Sequence, residues 1–596
     1  MSSRYRRLGL LAAAAFVAIT LLLSIYRRRN RLPIHTSSYP SEWSSPDAAP
    51  TYPEYNATDH PIENLVQQAR ARYEQLLKTQ STSLHSATEE YHRRYKIKPP
   101  PKFDIWYEFA SSRQLQLVDE FDTIHHNLLP FWGVEPQILR SRVRQILGNK
   151  DNALMGVSIR HRRIAKIEGG PEWQRDAIVG MVKSFVGHLP DMDVAFNLHD
   201  EPRVIVPHDD LVRLIARGRD NQAITVDAAL DMENSFSPLP PADWAEIPDS
   251  PVTPFNTFAH QHTWTHSRLS CPPESPARNL EPETHDNVSA YAAGDLEFVT
   301  NHTAFSDICN SPSLSSSFGF FERPNAFSIV QELYPVFSQS KVSTFQDILF
   351  PSPWYWWGKV QYVESNDMPW HAKLDRLHWR GSTTGGFSRA HGWKHHHRQH
   401  VVERMNMAGE VSILSELENE PQQNSSRWMP KKASQSKYLD MIDVRFSHVG
   451  QCDPEDCEEQ RKAFDIAEEE DQQEVWHSKH LLDMDGNAFS GRFYAFLQSK
   501  SVVYKISLFR EWHVDWLQPW LHYVPLSLRG GEWTEVLRFM SEEDQGRMIS
   551  RWLADSGRHF ARHTLRNMDL EVWLFRVLLE YGRVVDDRRE VIGYSI

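Results

Sequence analysis

The sequence is poor in cysteine and in net basic charge, and it has no long basic stripe beyond its N-terminus. Only 4 cysteines occur in 596 residues, none in a C-x-x-C pair, which argues against a four-thiolate zinc site. With 65 Lys and Arg against 78 Asp and Glu, the formal net charge is -13. No global field therefore draws a polyanion, and a nucleic-acid partner is not expected. No internal repeat is visible. What is present is 40% hydrophobic and 11% aromatic content, enough to bury more than one core, so two compact lobes are expected and disorder throughout is excluded. The 20 tryptophans serve either as core or as faces on which sugar rings stack.

From Leu8 to Tyr26 the chain reads LGLLAAAAFVAITLLLSIY, a charge-free run that, at about 1.5 Å per residue, spans a hydrocarbon core of roughly 30 Å. It is longer than the apolar region of a cleaved signal peptide and ends in Arg27, Arg28 and Arg29 rather than in small residues, so an uncleaved anchor is expected. Arginines flank both sides, and the positive-inside rule does not orient it. Four acceptor sequons, at Asn56, Asn287, Asn301 and Asn424, and all four cysteines follow the run. They point to a short cytoplasmic tail, residues 1–7, and a lumenal body in the Golgi or endoplasmic reticulum. Cys452 and Cys457 are spaced for a short disulfide loop, and Cys271 and Cys309 for a long one.

Residues 27–98 are expected to form a stem, rich in Ser, Pro and Thr at first, then a stalk or lid helix from about Ile62 to Tyr95. PPPKFDIWYEFA marks entry into the globular body. Within it, DVAFNL, RLHWRG, IDVRFS, HLLDMDG, SVVYKI and LHYVPLSL read as strands alternating with helical patterns, an α/β arrangement. The Pro-, Ser-, His- and Asp-rich stretch at 209–345 is expected to form surface loops with a few helices. The expected lobes run 99–365 and 366–532, with helices over 533–596 docked on the body.

Three polar or glycine clusters sit at strand ends, where open α/β sheets place their ligand crevices. In RLHWRGSTTGG, Arg380, Gly381, Ser382 and Thr383 offer a guanidinium, hydroxyls and close backbone N–H groups to a diphosphate, although a plain glycine-rich turn explains them too. In HLLDMDGNAFSGRFYAF, a strand ends at Asp485-Gly486 and a helix is expected to open near Asn487, placing Arg492 about a turn inside; a helix N-terminus with an arginine is an anion site, or else a capped turn with a surface ion pair. In LPDMDVAFNLHDEPRV, Asp200 lies just past a strand, as a general base for an acceptor hydroxyl or as a turn residue.

Two other patches are set aside. HGWKHHHRQH pairs His391 with His395 and His396 with His400 at metal-ligand spacing, but no nearby carboxylate or cysteine completes a site, and a solvated helix face is expected. Asp483 and Asp485 lie inside the strand-Gly-helix element, where a shared metal is not expected.

At these clusters the sequence resembles glycosyltransferase family 90, a group that includes fungal capsule-associated xylosyltransferases, lipopolysaccharide-modifying proteins and animal protein O-glucosyltransferases. The resemblance rests on LPDMDVAFNLHDEP, on the W-R-G-S segment at Trp379–Ser382, on LLDMDGNAFSGRFYAFLQSKSVVYK, and on REWHVDWLQPWLHYVPL. It implies a GT-B architecture of two Rossmann-like lobes facing a cleft, an inverting transfer from UDP-xylose or UDP-glucose to a glycan or glycoprotein hydroxyl, and no strict need for a metal. By the same resemblance Asp200 is the general base. Arg380, Gly381, Ser382, Thr383 and the stretch Gly486, Asn487, Ala488, Phe489, Ser490, Gly491 and Arg492 grip the UDP moiety, with Arg492 on the diphosphate. Glu511 binds ribose hydroxyls, and Trp354, Tyr355 and Trp357 of PSPWYWW line the acceptor side. Thr383 stands where the animal enzymes carry a second arginine, and the REWH string and the long insertion look more like the fungal branch. The alternative from another class is a catalytically silent, membrane-anchored glycan-binding protein on the same fold.

Overall fold

Two separate five-stranded sheets organise the body. The computed structural model describes residues 49–54, 59–227, 232–279, 284–416 and 427–596. The expected anchor, Asn56 and Asn424 lie outside the described residues, and among those described no helix is long and apolar enough to cross a membrane.

The first sheet is built from β1 (Leu154–Arg160), β2 (Arg163–Glu168), β3 (Met192–Asn197), β4 (Phe337–Ser338) and β5 (Ile348–Leu349). Its spatial order is β5-β4-β3-β1-β2, antiparallel around β1 and parallel from β3 to β5. The hairpin β1–β2 turns through His161 and Arg162, whose φ values are 50° and 63°; two consecutive left-handed residues match the strand twist.

The second sheet takes β6 (Leu374–Ser382), β7 (Ile442–His448), β8 (Ser478–Met484), β9 (Val502–Ile506) and β10 (Val524–Pro525) in the order β7-β6-β8-β9-β10. Every neighbouring pair is parallel. All five residues of β9 are buried, as expected of a central strand covered on both faces. A short ladder, Arg510 and Glu511 against Ser340 and Lys341, joins this half to the first.

Two expectations are corrected here. The segment at 209–345 is not surface loop: Phe305, Phe318, Phe320, Phe321, Phe327 and Phe345 form a buried cluster that reaches Ala488 and Phe509, with Cys271 joined to Cys309 beside it. Aromatic burial within a Pro- and Ser-rich stretch holds it in place. The stalk is two helices, Pro61–Lys78 and Leu84–Tyr95, and the first is docked rather than free. Ile62, Val66 and Ala69, at i, i+4 and i+7, are fully buried, and His60 stacks on Phe539 while its Nε2 lies 3.0 Å from Glu535 Oε1.

The terminal helices divide between the halves. Trp533–Glu542 and Asp544–Thr564 pack with the second sheet's core. Asn567–Val584 returns to the first, where Phe575 stacks on Phe185 and Trp106 Nε1 donates to the Val572 carbonyl.

Candidate functional site

The C-terminal ends of β6 and β8 open into two glycine-containing loops that are tied to each other. Gly385 N donates to Asn487 Oδ1 at 3.2 Å, and Gly486 N donates to the Ala488 carbonyl at 2.7 Å. Gly385 has φ +104°, and a Cβ there would stand 2.7 Å from His397 and 3.3 Å from the Gly486 carbonyl. A Cβ on Gly486 would lie 3.1 Å from Arg398 Nη2. Only glycine lets these backbones and guanidinium approach so closely.

Between the loops lies the start of the helix His397–Asn406. His397 Nε2 and Arg398 Nε each donate to the Asp485 carbonyl at 2.8 Å, and Arg398 Nη1 donates to Ser382 O at 3.1 Å and Thr384 Oγ1 at 2.8 Å. The HGWKHHHRQH segment is thus no solvated face. His396 and His397 are fully buried, and burial pushes both down to a pKa of about 3, so they stay neutral. His391 does stay exposed, but Asp456 and Glu459 come to it, with Glu459 Oε2 2.8 Å from its Nδ1; the sequence hides these carboxylates because they lie more than 60 residues away.

Arg398 and Arg492 share one environment. Both guanidinium groups sit over the Trp379 ring, at 5.5 and 5.9 Å from its centroid, and neither forms an ion pair among the described residues. Burial, then the charge of Arg492, pulls the Arg398 pKa down to about 9, and burial also lowers Arg492. Two neighbouring cations hydrogen-bonded only to carbonyls and a hydroxyl, with Asp483 acting on both through space rather than in an ion pair, are a site that an anion suits. Arg492 donates to the Arg380 carbonyl and is the cap residue of the short helix Phe493–Gln498, not a residue inside a helix opening at Asn487.

Arg380 is a correction. Successive strand residues face opposite sides, and since Trp379 faces the arginine pair, the Arg380 side chain points away from it. Its Nη2 lies 2.9 Å from Asp443 Oδ1 and 2.8 Å from Glu470 Oε1, so its charge is already answered. Thr383 is likewise engaged, with Oγ1 donating to the Gly450 carbonyl and accepting from Gly450 N. The second cation of the crevice is Arg398, which sequence reasoning missed; its signal was an arginine at a helix start just downstream of a glycine-rich turn.

Asp483 accepts from Lys505 Nζ at 2.7 Å and from Ser490 Oγ. Asp485 accepts from Ser507 Oγ and from the amides of Leu508 and Phe509, and burial raises its pKa to about 6. Each carboxylate has its own donors, and together they fix the loop that carries Arg492.

Asp200 follows β3 in the first half. Its carboxylate is exposed to solvent yet crowded by protein, which raises its pKa above the ordinary value. It forms no hydrogen bond or ion pair with the crevice residues. The loop around it is rigidly built: Asp347 accepts from Arg203 N and Val204 N at 2.8 Å each, Asn197 Nδ2 donates to the Glu201 carbonyl, and the buried Arg203 guanidinium packs on Phe255. Glu201, beside it, is buried and raised to about 8.

Trp354 and Trp357 are exposed, whereas Tyr355 stacks on Tyr494 at 3.7 Å and donates to the Ser490 carbonyl. With Tyr362 they line a cavity of about 370 Å³. Gly491 lies directly under Trp354, where a Cβ would stand 2.5 Å from the indole nitrogen, so the aromatic wall abuts the Arg492 loop. Glu511 lines a cavity of about 310 Å³ that includes none of Asp200, Arg398 or Arg492, while its carboxyl also interacts with the Tyr355 side chain of the aromatic wall. Asn287 and Asn301 are exposed, and Cys452 is joined to Cys457.

Residues 321–591 match the family described as glycosyl transferase family 90. Among curated proteins, the chain is 33% identical over 18% of its length to an O-glucosyltransferase rumi homolog of Aedes aegypti, covering 27% of that protein. It is 23% identical over 43% of its length to the rumi homolog of Anopheles gambiae, covering 57% of it. It is 30% identical over 18% of its length to O-glucosyltransferase rumi of Drosophila pseudoobscura pseudoobscura, covering 26%. The chain thus spans between about a quarter and just over half the length of these relatives.

Proposed function

We propose that this chain, whose residues 321–591 match glycosyl transferase family 90, moves a sugar from a UDP-sugar, xylose or glucose, to a hydroxyl of a glycan or glycoprotein with inversion. The observation that carries this reading is the pair of guanidinium groups of the buried Arg398 and the half-buried Arg492, neither in an ion pair among the described residues, at the glycine-lined ends of β6 and β8. A diphosphate supplies the two charges they lack, and the close backbone leaves room for it. Two five-stranded sheets, linked by a short ladder and by a core that takes residues from both, support a GT-B arrangement of two halves.

In the reaction, the Asp200 carboxylate takes the proton of the acceptor hydroxyl. The acceptor oxygen attacks the anomeric carbon, the bond from that carbon to the diphosphate oxygen breaks, and UDP leaves with the electron pair. Arg398 and Arg492 stabilise the growing negative charge on the diphosphate. The raised pKa of Asp200 moves it toward the range where a carboxylate is a competent base near neutral pH. Trp354, Tyr355 and Trp357 form the acceptor wall. The run at 8–26 anchors the chain in a Golgi or endoplasmic-reticulum membrane with the body in the lumen, where Asn56, Asn287, Asn301 and Asn424 are acceptors for N-glycans.

A panel of sugar nucleotides offered to the purified full-length chain, with release of free UDP as the readout, tests the reading and identifies the donor. Turnover with UDP-xylose or UDP-glucose is expected. UDP binding without turnover of any donor on any glycan acceptor would instead favour the silent glycan-binding protein.

A further inference from the structure

Beyond its glycines, the loop that leaves β6 carries an exposed histidine, and two carboxylates from a distant helix approach it. The segment from Ser388 to His391 lies against the helix Pro454–Ala463, and several bonds hold the two together. Ser388 N donates to the Gln451 carbonyl at 2.8 Å, Asp453 N donates to the Ser388 carbonyl at 2.9 Å, and the bridge from Cys452 to Cys457 closes the start of the helix. Asp456 and Glu459, three residues apart, share one face of that helix. A ring nitrogen of His391 and one carboxylate oxygen from each acid lie within 4.8 Å of one another. None of the three is hydrogen-bonded to Arg398 or Arg492.

The charges of this cluster do not balance. Asp456 is only 3% exposed, yet its donors, Ser388 Oγ and His391 N, are neutral. Glu459 Oε2 accepts from Trp393 Nε1 at 3.2 Å and lies 2.8 Å from His391 Nδ1. Among the described residues no lysine or arginine forms an ion pair with either carboxylate: Arg389 is held by Asp453 at 2.7 Å, and Lys394 lies over the Trp393 ring and reaches Glu459 only through space. One imidazole answers at most one of the two negative charges, and a buried carboxylate is ordinarily paired with a cation or bound to a metal.

We propose that His391, Asp456 and Glu459 form a binding site for one divalent transition-metal ion, zinc or manganese, which staples the loop after β6 to the helix Pro454–Ala463. One imidazole nitrogen with two carboxylates suits these ions better than calcium or magnesium, which take oxygen ligands. An ion with ligands at about 2.1 Å holds adjacent ligand atoms about 3.0 to 3.4 Å apart, a little more than the present separation of Glu459 from His391. The remaining gap closes by movement of these two side chains, which are 41% and 62% exposed, while Asp456 stays fixed by its donors. The ion steadies the backbone that runs from the glycine turn through His391 to Arg398. It does not depend on the transferase reading and supplies no step of the proposed transfer.

The full-length chain, stripped with EDTA and then freed of it, is titrated calorimetrically with zinc, manganese and calcium chlorides. Zinc or manganese is expected to fill one site per chain and to raise the midpoint of thermal unfolding, and calcium to bind at least about tenfold more weakly. His391→Ala and Glu459→Gln, both at accessible positions, should each weaken that site by at least about tenfold and remove the thermal shift. His395→Ala, an exposed histidine outside the cluster, should bind as the wild type does. The proposal is overturned if neither transition ion binds, if the His391 and Glu459 variants bind as tightly as the wild type, if His395→Ala loses as much as they do, or if calcium binds as well as zinc and manganese. The first two outcomes would leave His391 and Glu459 as a plain ion pair.

Discussion

The two faces of strand β6 hold arginines with opposite histories. On one face Arg380 is answered by Asp443 and Glu470, and nothing remains for a ligand to neutralise. On the other, Arg398 and Arg492 lie against Trp379, hydrogen-bonded only to carbonyls and a hydroxyl, with no ion pair among the described residues. The same residue type a few ångströms apart is structural in one case and receptive in the other. What separates the two is whether the fold has already supplied the counter-charge, and a buried pair that is complete has little left to offer a substrate.

The largest effect expected concerns neither face but the group that would act across from them. Asp200→Asn keeps the side chain's shape and removes the base, so the rate of sugar transfer should fall 10² to 10⁴-fold, about 3 to 5 kcal/mol, with UDP affinity unchanged in a binding titration. Full transfer by that variant would remove Asp200 from the chemistry. The comparison itself is broken most directly by Arg398→Ala, which should weaken UDP by roughly tenfold to a hundredfold through loss of charge-assisted hydrogen bonds, as should Arg492→Ala. Arg380→Met is the control: it removes one of several cations around Asp443, which keeps Arg376 and Arg445, lowering the midpoint of thermal unfolding by a few degrees at most, while the UDP dissociation constant stays within about twofold of wild type, well inside the range that a lost phosphate contact would exceed. Equal UDP loss in all three variants would erase the distinction between the faces.

The smallest expected effect extends the comparison to an acid. Burial raises Glu201 from 4.5 to about 8, so its contribution to stability is complete below pH 4.5 and is lost as pH rises toward 8. Glu201→Gln mimics the protonated form. It should leave the unfolding midpoint nearly unchanged at pH 5 and raise it relative to wild type at pH 8; a difference that does not grow with pH would contradict this assignment.

Most of the second sheet was legible in the sequence. Central parallel strands are covered on both faces and read as apolar runs, which is why VVYKI and HLLDM are visible at once. The hairpin β1–β2 was not, because RIAKIE is mostly polar and its turn uses His161 and Arg162 where glycine or asparagine is the usual sign. The hairpin Glu410–Glu416 with Trp428–Ser434 escaped for a related reason, its second strand being largely exposed. At the site, the loop from Gly486 to Arg492 was readable from its glycines and its arginine. Arg380 was misplaced although period-two alternation from Trp379 already turns it away. Arg398 was hidden by three adjacent histidines that resemble a wet surface and are in fact two-thirds interior. No spacing rule brings Glu511 and His302 to one cavity, since more than 200 residues separate them and only the packed insertion places both in its lining.

The helix Asn567–Val584 makes the first half dependent on the far end of the chain. Trp573, Leu574, Phe575, Val577 and Leu578 are all interior there, so any fragment ending before residue 567 would leave β1 to β5 without part of their own core, and the minimal expressible body reaches at least to Val584. Synthesis of the first half precedes that helix by hundreds of residues, so the core under Asp200 is completed only after residue 584 has been made, and a stop codon just before residue 567 should be as damaging as one in the middle of the body.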